Sequence, residues 1–463
     1  MRRNKIEPGP TTHGGGQASR ITPIQELRRT VLACLLWEDG FYEDGEAIGD
    51  RITGLVSRCE PIHVRDLAVQ ARTEFSLRHV PLQLVVAMLR TDKADYKKFV
   101  RETINQVVRR PDEMGELLTL YWGTTDRQKS DNKSIPASLR RGLADVFGTF
   151  DAYKMGKYNR RDGVKLRDVQ RLVHPHPGDA TSETARIAAA IANGTLESPD
   201  TWETQLSAGK DAKATWSRLI TEGKLGGLAL LRNLRNMHEA GVDRALIYRA
   251  LATNEFRYVL PFRFIAAARA CPILEPGIDD AFRRVLANWQ YKLPGKTVVV
   301  IDVSGSMRGQ LSARSDMTRL DAACALGAIC RELCEDGRIY ATAGNDYTRI
   351  HATQEIPARR GLPLVDSIAD MMMPLGGGGI FLNQAMRDIE ARERRADRVI
   401  VITDEQDCSW GVDDSPDKAP LIGRHNYILN VSTDQRGIGY RRWTHISGFS
   451  ESVLTYIYMS ELV

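Results

Sequence analysis

The residues best suited to chemistry follow two continuous runs that are rich in β-branched apolar residues. Asp302, Ser304 and Ser306 alternate directly after the first run, and Asp404 follows the second, at 398–403. Such runs are typical of strands that are buried on both faces of a parallel sheet. Because ligands bind at the carboxyl ends of these strands, we expect the four side chains to meet at one edge. Carboxylate and hydroxyl oxygens suit Mg²⁺, so the sequence predicts a divalent-cation site there.

Other interpretations of this region stay open. The same side chains could cap the following helix, because Asp and Ser accept hydrogen bonds from a helix N-terminus. A phosphatase of the haloacid dehalogenase class is disfavoured, because its general acid would stand where this chain has Ser304. The glycine run at 376–379 lacks the Lys-Ser/Thr pair of a P-loop, which favours a turn before a helix. The position of the glycine run indicates that it also contributes to the edge of the sheet where the metal ion is expected, which is here called the metal edge.

A second cluster, in the first half of the chain, is rich in cations and has aromatic residues between them. Cations neutralise phosphates, and rings such as those of Tyr153 and Tyr158 can stack on unpaired bases. The predicted RNA-binding residues are Arg140, Arg141, Lys154, Lys157, Tyr158, Arg160, Arg161, Lys165, Arg167, His174 and His176. The alternative is a solvated helix face without a ligand. Zinc binding by the two histidines is disfavoured, because no cysteine or further histidine stands at a matching spacing.

Two patterns of apolar residues position these clusters. Over 21–290, apolar residues recur at helical spacing between prolines, which predicts stacked pairs of amphipathic helices. Over 291–463, strands alternate with helices, which predicts a doubly wound parallel sheet. Residues 1–20 are predicted to be a flexible arm without the apolar core of a signal peptide. The predicted fold class is therefore multidomain, mainly α plus α/β.

The composition is that of a folded protein with a mild positive charge. Hydrophobic residues make up 42% and charged residues 27% of the 463 residues, which argues against a largely disordered chain. No apolar stretch is long enough to span a membrane, so we expect no membrane partner. The net charge of +5 permits binding to nucleic acid without requiring it. Seven cysteines without a CxxC pair fit a reducing compartment and predict a cytoplasmic location.

Several motifs carry a resemblance to known families. DVSGSM at 302–307, the glycine run and VITDEQ at 401–406 resemble a von Willebrand factor A domain with its metal-ion-dependent adhesion site. The helical half resembles the TROVE module of the Ro ribonucleoproteins, of the bacterial or phage type. The longest matching stretch is KYNRRDGVKLRDVQRLVHPHP at 157–177, which overlaps the basic cluster. The order, TROVE module and then A domain, is also that of Ro proteins.

The resemblance implies a fold and a function. The fold would be a ring of HEAT-like α-helical repeats closed by the A domain. The protein would be a non-catalytic RNA-binding protein that holds a small noncoding Y-like RNA on the helices. Single-stranded ends of misfolded RNA would enter the hole of the ring, for RNA quality control or decay. An exoribonuclease such as polynucleotide phosphorylase, tethered through RNA, would be a partner of a monomeric protein.

One position departs from the family pattern of the adhesion site. The family has a Thr ligand after the glycine run, and Ile380, which offers no oxygen, stands at that place. Asp302, Ser304, Ser306 and Asp404 carry over as metal ligands. We therefore expect Mg²⁺ to bind more weakly than in relatives or not at all. The alternative function is a metal-dependent adhesion-type scaffold that binds an acidic protein partner through the A domain.

Overall fold

A computed structural model of the chain describes most of its residues. The described ranges are 22–33, 45–75, 77–123, 134–159, 163–176, 178–179, 181–197, 199–256, 259–310, 317–404, 407–408, 418–431, 443–447 and 453–462. The predicted arm at 1–20, Arg160 and Arg161 lie outside the described residues. Within these ranges, no helix combines the length and the apolar character that crossing a membrane requires.

The chain divides into two compact units. The first, here called the helical unit, comprises Thr22–Val31 and Gly49–Leu219. The second, here called the mixed unit, contains Ile220–Val463 together with shorter N-terminal pieces. Helices give way to strands at Leu293, whereas the division into compact units falls at residue 219. The last helices before the first strand therefore belong to the same compact unit as the sheet.

The helical unit is built from amphipathic helices whose apolar stripes meet in its core. Its helices are α1 Pro23–Ala33, α2 Gly45–Val56, α3 Pro61–Thr73, α4 His79–Arg90, α5 Lys97–Val107, α6 Pro111–Gly123, α7 Ala137–Phe147, α8 Ala152–Lys157, α9 Leu166–Val173, α10 Glu183–Asn193, α11 Trp202–Ser207 and α12 Ala212–Thr221. The stripe predicted from Val64, Leu67, Ala68 and Ala71 is buried in α3. A stripe of this kind gives a helix one face to bury and leaves its charged face to solvent.

The mixed unit continues with helices and then adds the sheet. Its helices are α13 Gly227–Arg232, α14 Leu234–Glu239, α15 Arg244–Thr253, α16 Phe262–Ala270, α17 Glu275–Ala287, α18 Arg319–Leu333, α19 Leu362–Ala369, α20 Leu382–Glu393 and α21 Val453–Glu461. Its strands are β1 Leu293–Asp302, β2 Cys334–Asn345, β3 Ile350–Glu355, β4 Ala396–Thr403, β5 Gly423–Asn430 and β6 Thr444–Ser447. The alternation predicted from 291 onward is present.

The sheet is parallel except at one edge. The described strands are in the order β3-β2-β1-β4-β5-β6, and only β3 runs antiparallel to its neighbour. In the centre, β1 pairs with β4 so that Ile301 lies opposite Ile402. The residues that follow these two strands therefore come to the same edge of the sheet, as the sequence predicted. The antiparallel β3 was not predicted.

Helices cover both faces of the sheet. On one face, Val298 and Val300 pack with Leu382 and Met386 of α20 in a buried apolar cluster. On the other face, α18 approaches β1 so closely that a Cβ at Gly327 would collide with the side chain of Ile301. Because side chains alternate along a strand, β1 supplies apolar residues to both layers. This doubly wound core fixes the carboxyl ends of β1 and β4.

Candidate functional site

The predicted metal edge forms where β1 and β4 end. The hydroxyl group of Thr403 donates to Asp302 Oδ2 at 2.7 Å, and the backbone N–H of Ser304 donates to Asp302 Oδ1 at 2.8 Å. The Oγ atoms of Ser304 and Ser306 are 3.0 Å apart. Asp404 follows Thr403 at the end of β4. The structure thus brings the predicted oxygen donors of both strands to one edge.

Burial governs the electrostatics of this edge. Asp302 and Asp404 are 0% and 2% exposed. Desolvation, with a smaller effect of the nearby Asp404 charge, raises the pKa of Asp302 to about 7, although hydrogen bonds from Ser304 and Thr403 act in the opposite direction. Two buried carboxylates that lie close together repel each other, which favours a proton on one of them or a positive charge nearby.

The glycine run completes the edge through its backbone. The backbone N–H of Gly305 donates to the carbonyl group of Gly378 at 3.2 Å, and a Cβ at Gly305 would lie 2.8 Å from the carbonyl oxygen of Gly377. Gly376 and Gly377 have φ values of 97° and 62°, which side chains rarely adopt. Glycine is therefore required here for both the close approach and the turn.

The residues at the edge do not fit a divalent cation well. Arg319 Nη1 donates to Asp404 Oδ2 at 3.0 Å, so a positive charge already contacts this carboxylate. Ile380, at the place of the usual Thr ligand, is 1% exposed and packs in the apolar cluster with Val300 and Tyr340. In the described ranges, no group of three or more His, Cys, Asp or Glu residues could hold a metal ion. Arg319 was not predicted from the sequence, because its position at the start of a helix is unusual for a cation.

Among the described residues, the predicted RNA-binding cations and histidines lie on exposed positions in or next to three helices of the helical unit, whereas Tyr158 is half-buried. In α8, Lys154 and Lys157 are exposed while Met155 is buried. In α9, Leu166, Val169 and Val173 are buried, which leaves the charged positions on the solvent side. The remaining exposed cations and imidazoles are Arg140 and Arg141 of α7, Lys165 and Arg167 at the start of α9, and His174 and His176 after it.

Two of these three helices, α7 and α9, pack side by side, and α9 also contacts α6. Two carboxylates near the cations accept hydrogen bonds from backbone groups. Asp151 accepts a hydrogen bond from the Lys154 N–H at 2.7 Å, and Asp168 accepts one from the Lys165 N–H at 3.1 Å. These caps hold the acids at the helix N-termini, so the cationic side chains keep a net positive face.

Tyr158 lies differently from what a platform for bases requires. The guanidinium carbon of Arg110 is 4.3 Å from the centroid of the Tyr158 ring, so one face of the ring is covered. Tyr153, in contrast, is 54% exposed. The role of Tyr158 in RNA binding stays a prediction, and Tyr153 is the more accessible ring.

A partly buried ionic network holds Arg110 under Tyr158. Arg110 donates to both oxygens of Asp112, at 3.0 and 2.7 Å, and Arg78 also contacts Asp112, at 2.9 Å. The neighbouring Glu113 is fully buried and pairs with Arg72 at 2.8 Å. Although burial lowers it, the hydrogen bond to Asp112 raises the pKa of Arg110, which therefore stays charged. This network was not predicted from the sequence, because its partners are separated by up to 41 residues.

Comparison with known proteins places the chain in a family. The model of the TROVE domain matches residues 37–194 and 190–276, which together are more than half of the chain. This chain belongs to the TROVE family. The basic cluster lies within the first matched segment of its TROVE domain.

Curated relatives and a solved structure extend this finding. Telomerase protein component 1 of Rattus norvegicus is 22% identical over an alignment of 299 residues that covers 47% of this chain and 11% of that protein. Its counterpart from Mus musculus is 21% identical over an alignment of 308 residues that covers 48% of this chain and 12% of that protein. The chain therefore matches only about a tenth of the length of these relatives.

The solved structure confirms the predicted fold class. The crystal structure of the Deinococcus radiodurans RO (RSR) protein is similar with a TM-score of 0.64 and 17% sequence identity. The likeness covers 96% of this chain and 100% of that chain. At this level of identity, the likeness concerns the fold alone.

Proposed function

We propose that this TROVE protein is a non-catalytic, Ro-type RNA-binding protein that holds RNA on the exposed faces of α7, α8 and α9. The observation that supports the proposal most strongly is the set of solvent-exposed cations on these helices beside the exposed ring of Tyr153. A face of this kind neutralises phosphates and offers a surface for stacking on unpaired bases.

The electrostatics of the region favour a polyanion over an acidic protein. Asp151 and Asp168 are directed at backbone N–H groups of the helices, so the neighbouring lysines and arginines keep their charge available. Nucleic acids present a regular row of phosphates, which exposed cations spread over several helices can follow.

We further propose the RNA classes and the role that the family resemblance implies. The structured ligand would be a small noncoding Y-like RNA, and single-stranded ends of misfolded RNA would be a second ligand. The protein would act in RNA quality control or decay in the cytoplasm, as a monomer with an exoribonuclease such as polynucleotide phosphorylase tethered through the RNA. No step of this role requires the protein to cleave RNA.

Recovery of RNA with the purified protein tests the proposal. We expect the wild-type chain to carry RNA through purification. The Arg167→Ala/Arg171→Ala variant, which removes two exposed arginines of α9, should carry much less, and sequencing identifies the RNA. The control is Lys97→Ala/Lys98→Ala, which removes two exposed lysines of α5 in the same unit. Equal recovery from the wild-type chain and the folded α9 variant would contradict the proposed surface.

A further inference from the structure

A cation stands at an unfavourable place in the helix that follows the metal edge. Thr318 caps α18, since its Oγ1 accepts a hydrogen bond from the Asp321 N–H at 3.0 Å, and Arg319 is the first residue of the helix. The N-terminus of a helix carries partial positive charge and disfavours a guanidinium group there. An arginine at this position therefore requires compensation by a nearby anion.

The compensating anion is Asp404, at the end of β4. Arg319 Nη1 is 3.0 Å from Asp404 Oδ2, in a pair whose carboxylate is fully buried and whose guanidinium is 18% exposed. A charge-assisted hydrogen bond to a buried carboxylate is stronger than an ion pair between two exposed side chains.

The absence of a side chain at Gly309 leaves room for the side chain of Arg319. A Cβ at Gly309 would lie 3.2 Å from the Cζ and Nε atoms of Arg319, so the guanidinium passes over a residue without a side chain. The Arg319 N–H also donates to the Gly309 carbonyl group at 2.9 Å. Gly309 and the start of α18 thus direct this side chain to the edge.

Charge and donor set both oppose a metal ion in this arrangement. A divalent cation next to Asp404 would approach the Arg319 guanidinium in a region of low dielectric, where like charges repel strongly. Ile380 supplies no oxygen and packs in the apolar cluster instead. The charge that two buried carboxylates require is supplied by the chain itself.

We propose that Arg319 is the built-in cation of this edge and that it replaces a divalent metal ion. The edge then binds no Mg²⁺ while the Arg319–Asp404 pair is formed. Adhesion to an acidic partner through a bridging metal ion, which is the alternative function, has no means of operating at this edge. The inference is independent of the proposed RNA surface, which lies in the helical unit.

The test compares Mg²⁺ binding with and without the guanidinium group. Calorimetric titration with MgCl₂, and melting temperatures in EDTA and in millimolar Mg²⁺, are measured for the wild-type chain, Arg319→Ala and Arg319→Gln. The glutamine variant keeps a neutral N–H donor and carries the test if the alanine variant does not fold. Arg308→Ala is the control, because Arg308 is exposed in the same loop and contacts the sulfur atoms of Met372 and Met373.

We expect the wild-type chain and Arg308→Ala to bind no Mg²⁺ and to melt at the same temperature in EDTA and in Mg²⁺. The Arg319 variants should melt roughly 5 to 15 °C lower in EDTA, because a buried carboxylate pair loses its countercharge. Mg²⁺ should bind to these variants and restore most of that loss. Wild-type binding as tight as that of the variants, or no gain of Mg²⁺ binding in them, would overturn the proposal.

Discussion

Two tyrosines only five residues apart have different surroundings. The ring of Tyr158 lies on the guanidinium group of Arg110, which Asp112 holds in place. The ring of Tyr153 is 54% exposed on α8. Both are tyrosines that stand between basic residues, so the sequence could not show which ring packs inside the protein and which is accessible to a ligand.

Alanine substitution of each ring should therefore give opposite results. Tyr158→Ala should lower the free energy of unfolding by roughly 1 to 3 kcal/mol, because a cation–π contact and packing are lost. Tyr153→Ala should leave stability unchanged and cost about 1 to 3 kcal/mol of affinity for single-stranded RNA. Denaturant unfolding and filter binding measure the two effects. An unchanged stability in Tyr158→Ala would show that the contact with Arg110 is not formed.

Ile380 offers a second test at the scale of one residue. Its side chain is 1% exposed, so Ile380→Thr would bury a hydroxyl group in the apolar cluster. The expected loss is about 1 to 3 kcal/mol beyond that of Ile380→Val, which removes only a methylene group. The measurement is denaturant unfolding of both variants. A threonine variant as stable as the valine variant would mean that the hydroxyl group finds a partner at the edge.

At the scale of elements, small residues set how closely the basic helices are held. A Cβ at Gly156 of α8 would collide with the carbonyl oxygen of Glu197. A Cβ at Gly115 of α6 would lie 2.6 Å from the carbonyl oxygen of Val164, in the segment that leads into α9. Glycine therefore permits α8 to pack against the backbone at Glu197, and α6 to pack against the backbone just before α9.

Replacement of these glycines should depend on what lies opposite. Gly156→Ala should destabilise the protein and displace α8, because a backbone carbonyl cannot move aside as a flexible side chain can. Gly54→Ala in α2 is the matched control, since no atom lies within 4 Å of its Cβ position. The control should gain up to about 1 kcal/mol from helix propensity. The measurement is the melting temperature of both variants. A melting temperature of Gly156→Ala equal to or higher than that of Gly54→Ala would contradict this packing.

At the scale of the whole molecule, the features that could be predicted from the sequence are those that a local pattern of residues encodes. The continuous apolar run of Val298, Val299, Val300 and Ile301 predicted a strand buried on both faces, and Asp302 and Asp404 were correctly expected at one edge. The edge strand β3 escaped prediction, because it is polar and partly exposed over its whole length. Pairs such as Arg319 and Asp404, 85 residues apart, depend on the tertiary fold and leave no local pattern.

The central claim is that RNA binds the basic face of the helical unit, and the salt dependence of RNA affinity tests it most directly. The variant is Lys154→Ala/Lys157→Ala, and the control is Lys97→Ala/Lys98→Ala. The slope of log K against log salt should fall by roughly 0.7 to 0.9 for each phosphate contact that is lost, and it should stay at the wild-type value in the control. A wild-type slope in the folded Lys154→Ala/Lys157→Ala variant would contradict the claim and place the RNA elsewhere on the protein.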